Sequence, residues 1–119
     1  MAERIKWIMH KGKKILFCDY SNLRDQKHLD FIDEVKNEMA KQPPGTILLV
    51  LADLTNTYTT PAAKVKYEEL TAVRMKYKGV DAVIGITVPQ KIIGEGIKKG
   101  IYYAKGIEDA KEWLISQKI

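Results

Sequence analysis

Hydrophobic residues at every second position open the chain. Ile5, Trp7 and Met9 follow this spacing, which is typical of a strand with one buried face. Gly12 can supply the positive backbone angle of a tight hairpin turn, and an apolar run at 15–19 follows it. The pattern therefore predicts an N-terminal β-hairpin whose second strand is central in a sheet.

After the hairpin, the apolar residues follow the spacing of a helix. Apolar residues three or four positions apart predict a first helix between Asp25, as its N-cap, and the helix-ending pair Pro43-Pro44. A second helix is predicted to begin with Thr60 as its N-cap and Pro61 at the first helical position, and to end at Gly79. Its predicted buried stripe consists of Ala63, Tyr67, Leu70, Val73 and Tyr77.

Continuous apolar runs alternate with these helical segments. The runs at 46–54 and 80–88 predict strands that are covered on both faces. A third helix is predicted at 89–99, a short fifth strand at 101–105, and a last helix at 108–117. On the last helix, the pattern predicts that Trp113 packs against the sheet.

This alternation of strands and helices predicts the fold class. A chain of 119 residues is the size of one domain, here taken as 1–119. The order predicts an α/β fold with a mixed, mainly parallel sheet of four to five strands, helices around it and an N-terminal β-hairpin. In such sheets ligands gather at the carboxyl ends of the strands.

The loop after the third strand lies at such a place and is rich in hydrogen-bonding side chains. Its eight residues 53–60 carry five hydroxyls, one amide and one carboxylate. A helix N-terminus favours anions, so one interpretation is a phosphorylation site or a small-anion contact. The other is turn-making and capping, because Thr, Asn and Asp bond to nearby backbone. The candidate site residues are Asp53, Thr55, Asn56, Thr57, Thr59 and Thr60.

Other candidate chemistry is sparse. His10 and His28 have no Cys or His at ligand spacing, so neither a metal site nor a cofactor is predicted. The serines lack a nucleophile motif, and no catalytic residue is assigned. Asp19 and Asp53 both end central strands and could come close, which leaves a paired-carboxylate enzyme as a third hypothesis.

Composition narrows the classes of partner. The formal net charge is +5, but the lysines are scattered and no aromatic stacking motif accompanies them, so nucleic-acid binding is not predicted. The N-terminus does not resemble a signal peptide, and no apolar run approaches the ~20 residues of a spanning helix, so membrane insertion is not predicted. A lone cysteine, Cys18, fits a reducing cytoplasm.

A family resemblance that extends over nearly the whole chain is carried by four stretches: "HKGKKILFCDYSNL", "PPGTILLVLADLTNTYTTP", "VDAVIGITV" and "EDAKEWL". Together they resemble the STAS domain family (sulfate-transporter and anti-anti-sigma-factor domains), and more closely its small stand-alone bacterial members. The resemblance implies a mixed sheet of four or five strands with helices around it.

The resemblance also implies a role. In regulatory STAS domains a partner kinase phosphorylates a Ser or Thr at the start of the helix after a central strand, and this controls binding to the kinase. The matching place here is Thr59-Thr60, with Tyr58 where the family has an acid and Pro61 where it has a glycine.

The sequence thus predicts a non-enzymatic regulatory module that binds a protein partner, a kinase or a sensor protein. The predicted switch is phosphorylation of Thr59 or Thr60. The alternative is a sensor domain that binds a small molecule or an anion at the same loop. The sequence leaves open whether the protein forms a homo-oligomer.

Overall fold

The computed structural model describes residues 3–86 and 100–118, which contain one five-stranded sheet. The strands are β1 (Ile5–His10), β2 (Lys13–Asp19), β3 (Ile47–Asp53), β4 (Lys78–Ile84) and β5 (Tyr102–Tyr103), and they lie side by side in that order. β1 and β2 pair antiparallel as a hairpin, and the other three pairs are parallel. The α/β class, the mainly parallel sheet and the N-terminal hairpin are therefore confirmed.

Helices cover both faces of this sheet. The helices of the described residues are α1 (Asp25–Ala40), α2 (Pro61–Arg74) and α3 (Ile107–Ser116). Alternate residues of β3 serve opposite faces: Val50 packs with the residues of α1 and α2, whereas Leu51 packs with those of α3. Because β3 is covered on both sides, its sequence is an unbroken apolar run.

The two predicted apolar runs form β3 and β4, which pair in parallel as neighbours in the sheet. β5 is shorter than predicted and holds two residues. The predicted helix at 89–99 and positions 87–88 of the predicted fourth strand lie outside the described residues. Within the described ranges, no helix combines the length and apolar character needed to cross a bilayer.

The end of α2 differs from the prediction. The helix stops at Arg74, so Tyr77 lies beyond it, and Gly79 belongs to β4 rather than ending the helix. The helix ends early because of the tertiary contacts of Arg74. This residue is buried, its Nε donates to Asp81 Oδ1 at 2.9 Å, and its Nη1 donates to the carbonyl of Tyr77 at 3.1 Å. Gly79 has a φ of 148°, and a Cβ there would lie 1.8 Å from the carbonyl oxygen of Leu48.

Of the two helix starts on the α1–α2 face, that of α1 differs from the prediction and that of α2 agrees with it. Asp25 was predicted as the N-cap of α1, but Arg24 holds that position without a side-chain capping bond, and Asp25 has a φ of 53°. The predicted start of α2 is confirmed, because Thr60 Oγ1 accepts a hydrogen bond from the amide of Ala63 at 3.1 Å and Pro61 is the first helical residue.

On the opposite face, α3 brings an aromatic ring onto β5. Trp113 is half-buried and stacks on Tyr102, with ring centres 4.6 Å apart and planes 4° from parallel. The predicted contact of Trp113 with the sheet is thus confirmed, although its ring is not fully buried.

Candidate functional site

Two turns of the same pattern follow β2 and β3. The first turn (residues 19–22) reads Asp-Tyr-Ser-Asn, and the second turn (residues 53–56) reads Asp-Leu-Thr-Asn. In the first turn, Asp19 Oδ1 accepts from the Ser21 amide at 3.0 Å and from its hydroxyl at 2.5 Å. In the second turn, Asp53 Oδ1 accepts from the Thr55 amide at 2.9 Å and from its hydroxyl at 2.6 Å.

The last residue of each turn has a left-handed backbone. The φ is 62° at Asn22 and 55° at Asn56, a conformation that Asn tolerates better than most residues. The same local chemistry therefore builds both turns.

Hydrogen bonds join the two turns into one edge. Asp19 and Asp53 are register partners, and the Asn22 amide donates to the Thr55 carbonyl at 3.0 Å. The side-chain amide of Asn56 donates to Asn22 Oδ1 at 2.8 Å. The two aspartates of the paired-carboxylate hypothesis are thus neighbours, and each is engaged in its own turn.

An arginine holds each turn. In the first turn, Arg4 Nη1 donates to the carbonyls of Asp19 at 3.0 Å and Ser21 at 2.9 Å. In the second turn, Arg24 Nη1 donates to the carbonyl of Asn56 and Nη2 donates to its Oδ1, the latter at 2.8 Å.

Arg24 also touches an exposed aromatic ring. Its guanidinium carbon lies 4.4 Å from the centre of the Tyr58 ring, a cation–π arrangement. Tyr58 is 60% exposed. Asn22, Arg24, Asn56 and Tyr58 are here called the carboxyl-edge surface.

The other predicted site residues have structural contacts. Asp53 and Thr55 bond to each other within the second turn, and Thr60 caps α2. Thr57 is buried, and its hydroxyl donates to the carbonyl of Tyr20 at 3.0 Å. Thr59 is half-buried and lines a cavity. Asn56 is the candidate residue that belongs to the carboxyl-edge surface.

Sequence reasoning did not select Asn22, Arg24 or Tyr58 as site residues. The repeated Asp-x-Ser/Thr-Asn pattern was a usable signal for Asn22, because it marks equivalent ends of two neighbouring strands. The contact between Arg24 and the second turn spans 32 positions and depends on the parallel register, so no local pattern indicates it.

A cavity of about 140 Å³ lies between α2 and the sheet, and its lining includes Tyr20 of the first turn and Leu54 of the second turn. A buried aromatic group borders it: Tyr20 and Tyr67 line the cavity, and His28 Nε2 lies 2.7 Å from the Tyr67 hydroxyl. Burial lowers the pKa of His28 and raises the pKa of both tyrosines, so all three rings are neutral near pH 7.

At the other end of the same cavity lies a buried ion pair. Arg74 and Asp81 line the wall there, and their side chains are 4% and 12% exposed. Arg74 Nη2 also reaches the carbonyl of Leu48 at 3.4 Å. The positive charge is thus matched inside the protein, as burial of a charge requires.

No family model matches this chain, and neither the curated proteins nor the solved structures compared with it gave a match. Within 3–86 and 100–118, no group of three His, Cys, Asp or Glu side chains is arranged to hold a metal ion.

Proposed function

We propose that this protein is a non-enzymatic regulatory module that binds a protein partner through its carboxyl-edge surface. The observation that carries the proposal is Tyr58, whose ring is 60% exposed and yet held against Arg24. Tyr and Arg are the residue types that, with Trp, contribute most to binding energy at protein interfaces. Here they stand together on the outside of the molecule.

The support beneath this pair favours the same conclusion. Arg24 is fixed by its two hydrogen bonds to Asn56, and Asn56 is fixed by its bond to Asn22. A side chain that is already ordered loses less conformational entropy when a partner binds. The surface is therefore suited to binding without rearrangement.

The charge of Arg24 indicates which kind of side chain the partner presents to it. The hydrogen bonds of Arg24 go to neutral groups, and no carboxylate of the described residues forms an ion pair with it. Its positive charge is available, so we expect the partner to present an Asp or Glu toward it. The net charge of +5 adds a weaker attraction of the same sign.

The proposed switch is phosphorylation of Thr60. This residue is exposed, two positions from Tyr58, and its hydroxyl stands at the N-terminus of α2. A phosphate adds about −1.5 to −2 charges and is tolerated at a helix N-terminus. It would repel the acidic group of the partner while the fold persists. The resemblance to STAS domains supports this proposal, because it implies control by a kinase at the same place.

The proposal includes a cytoplasmic location. Its support is Cys18, the sole cysteine of the chain, which is fully buried and free. A single cysteine cannot form an internal disulfide, and such usage is typical of proteins in reducing compartments.

Site-specific photo-crosslinking in cells tests the proposal. A photoreactive phenylalanine analogue at position 58 should capture one specific partner, and the same analogue at Val65, which is 55% exposed on α2, should not. With the purified partner, Tyr58→Ala and Arg24→Ala should each weaken binding at least about tenfold, as is typical of central interface residues. Val65→Ala should leave the affinity unchanged. Equal affinities for all three variants would contradict the proposal.

A further inference from the structure

The cavity beneath α2 is the second feature with a functional consequence. It is a partly open space of about 140 Å³. Its floor is formed by Val50 and Ala52 of β3 and by Val83 of β4. The small side chain of Ala52 leaves room that a larger residue would fill.

One face of α2 forms the roof. Tyr67, Leu70, Thr71 and Arg74 are spaced at three- and four-residue intervals, which places them on one stripe of the helix. In a fully packed domain such a stripe closes directly onto the sheet. Among the described residues, a space is left between this stripe and β3 and β4.

The residues that line the cavity determine which class of molecule it can bind. Most of the described side chains that line it are apolar, and Arg74 and Asp81 neutralise each other, so these described residues offer no free charge to an ionic ligand. Two hydroxyls, of Thr59 and Thr71, line the cavity and make no hydrogen bond to other described residues. They can bond to a neutral polar group on a molecule inside.

We propose that this cavity binds a small neutral molecule, mainly apolar, about the size of one six-membered ring and carrying a hydroxyl or carbonyl group. The size follows from the volume, since an apolar protein cavity of about 150 Å³ is known to admit benzene. The polar group follows from the hydroxyl of Thr71, which a purely apolar molecule would leave without a partner.

Binding of benzene and of phenol to the whole protein tests the proposal by methyl NMR. Saturable shifts are expected for the methyl groups of Val50, Leu70 and Val83, which line the cavity. The methyl groups of Ile15 and Leu114, which are buried on the opposite face, should stay unshifted. No shift up to the solubility of either probe, or equal shifts on both faces, would overturn the proposal.

Matched variants sharpen the test. Ala52→Leu fills the floor and should weaken binding of both probes at least tenfold, whereas Ala62→Leu makes the same change at an exposed position of α2 and should not. If Ala52→Leu does not fold, Thr71→Val decides: phenol should lose its advantage over benzene, and an unchanged preference for phenol would contradict the assigned hydroxyl contact. These variants change no residue of the carboxyl-edge surface and the probes are measured without a partner, so their outcome is independent of the proposed partner binding.

Discussion

The first and second turns share a sequence pattern and a hydrogen-bonding scheme, yet they end differently. The first turn leads through Leu23 into α1, and Arg4 binds its carbonyls and lies 3.8 Å from the Asp19 carboxylate. The second turn is followed by residues 57–60 before α2 begins, and this extension carries Tyr58. The shared pattern shapes the edge of the sheet, and the extension supplies the exposed group.

The helix starts show the same contrast. α2 begins with a good cap, Thr60, whereas Arg24 stands at the N-cap of α1 and makes no capping bond there. Arginine is not among the preferred capping residues, so its presence is not explained by α1. It is explained by the second turn, because Arg24 binds Asn56 and Tyr58. Departure from a local rule is expected where a residue serves a function elsewhere.

The largest predicted effect concerns the packing of the second turn against the end of β4. Gly85 has a φ of 77°, and a Cβ there would lie 2.1 Å from Thr55 Oγ1 and 2.7 Å from the Thr55 amide nitrogen. Gly85→Ala should therefore lower the free energy of unfolding by roughly 3–5 kcal/mol, from backbone strain and overlap together. Urea denaturation measures this loss.

Gly45→Ala is the matched control. Gly45 has a similar φ of 89°, but nothing lies within 4 Å of a Cβ at that position. The control should lose only about 1–2 kcal/mol, the cost of a left-handed backbone. Equal losses for the two variants would mean that the close approach to Thr55 contributes nothing.

The next effect tests whether the two turns are structural equivalents. Asp19→Ala and Asp53→Ala each remove the acceptor of two hydrogen bonds, so each should cost about 2 kcal/mol in urea denaturation. Similar losses would support equivalence. A loss at Asp19 with none at Asp53 would show that the second turn does not depend on its carboxylate. Asp53 would then again be a candidate binding residue.

Much of the fold was readable from the sequence because its signals are local. The apolar runs of β3 and β4 and the Thr60-Pro61 helix start are short patterns with one strong physical meaning. The end of α2 was not readable, because the buried ion pair of Arg74 with Asp81 fixes it, and that pair forms only when β4 packs beside β3. Gly79 was read as a helix stop, although its role is close approach to Leu48.

The same distinction between local signals and tertiary contacts applies to the candidate site. The loop 53–60 could be found from its composition, and Thr60 could be named as a cap from its neighbours alone. The contact of Arg24 with Tyr58 could not, because it depends on which strands are adjacent and in which register. Similarly, no sequence pattern indicates a cavity, which results from how α2 is spaced from the sheet.

A smaller effect is expected at the cap of α2, which has no counterpart on α1. Thr60→Ala should lose about 1 kcal/mol of stability, while Thr60→Ser and Thr60→Asp should stay within a few tenths, because Ser and Asp are also good caps. Thermal melts measure the stability. If Thr60→Asp stays folded and still binds the partner as the wild type does, the phosphorylation switch is wrong.

The smallest stability effect is predicted for Tyr58, the residue that most separates the second turn from the first. An exposed cation–π pair contributes about 0.5–1 kcal/mol, so Tyr58→Ala should change the free energy of unfolding by no more than this amount. Tyr58→Phe keeps the ring and serves as the matched control, with stability and the contact to Arg24 preserved.

A double-mutant cycle of Tyr58→Ala with Arg24→Ala, followed by urea denaturation, measures the coupling between the two side chains. A coupling well above 1 kcal/mol would mean that the pair fastens the loop, and the exposure of Tyr58 would then have a structural cause. A small coupling together with the large loss of partner affinity predicted for Tyr58→Ala would show that this ring is there for binding, since the first turn, whose Tyr20 is buried, forms the same edge of the sheet without an exposed ring.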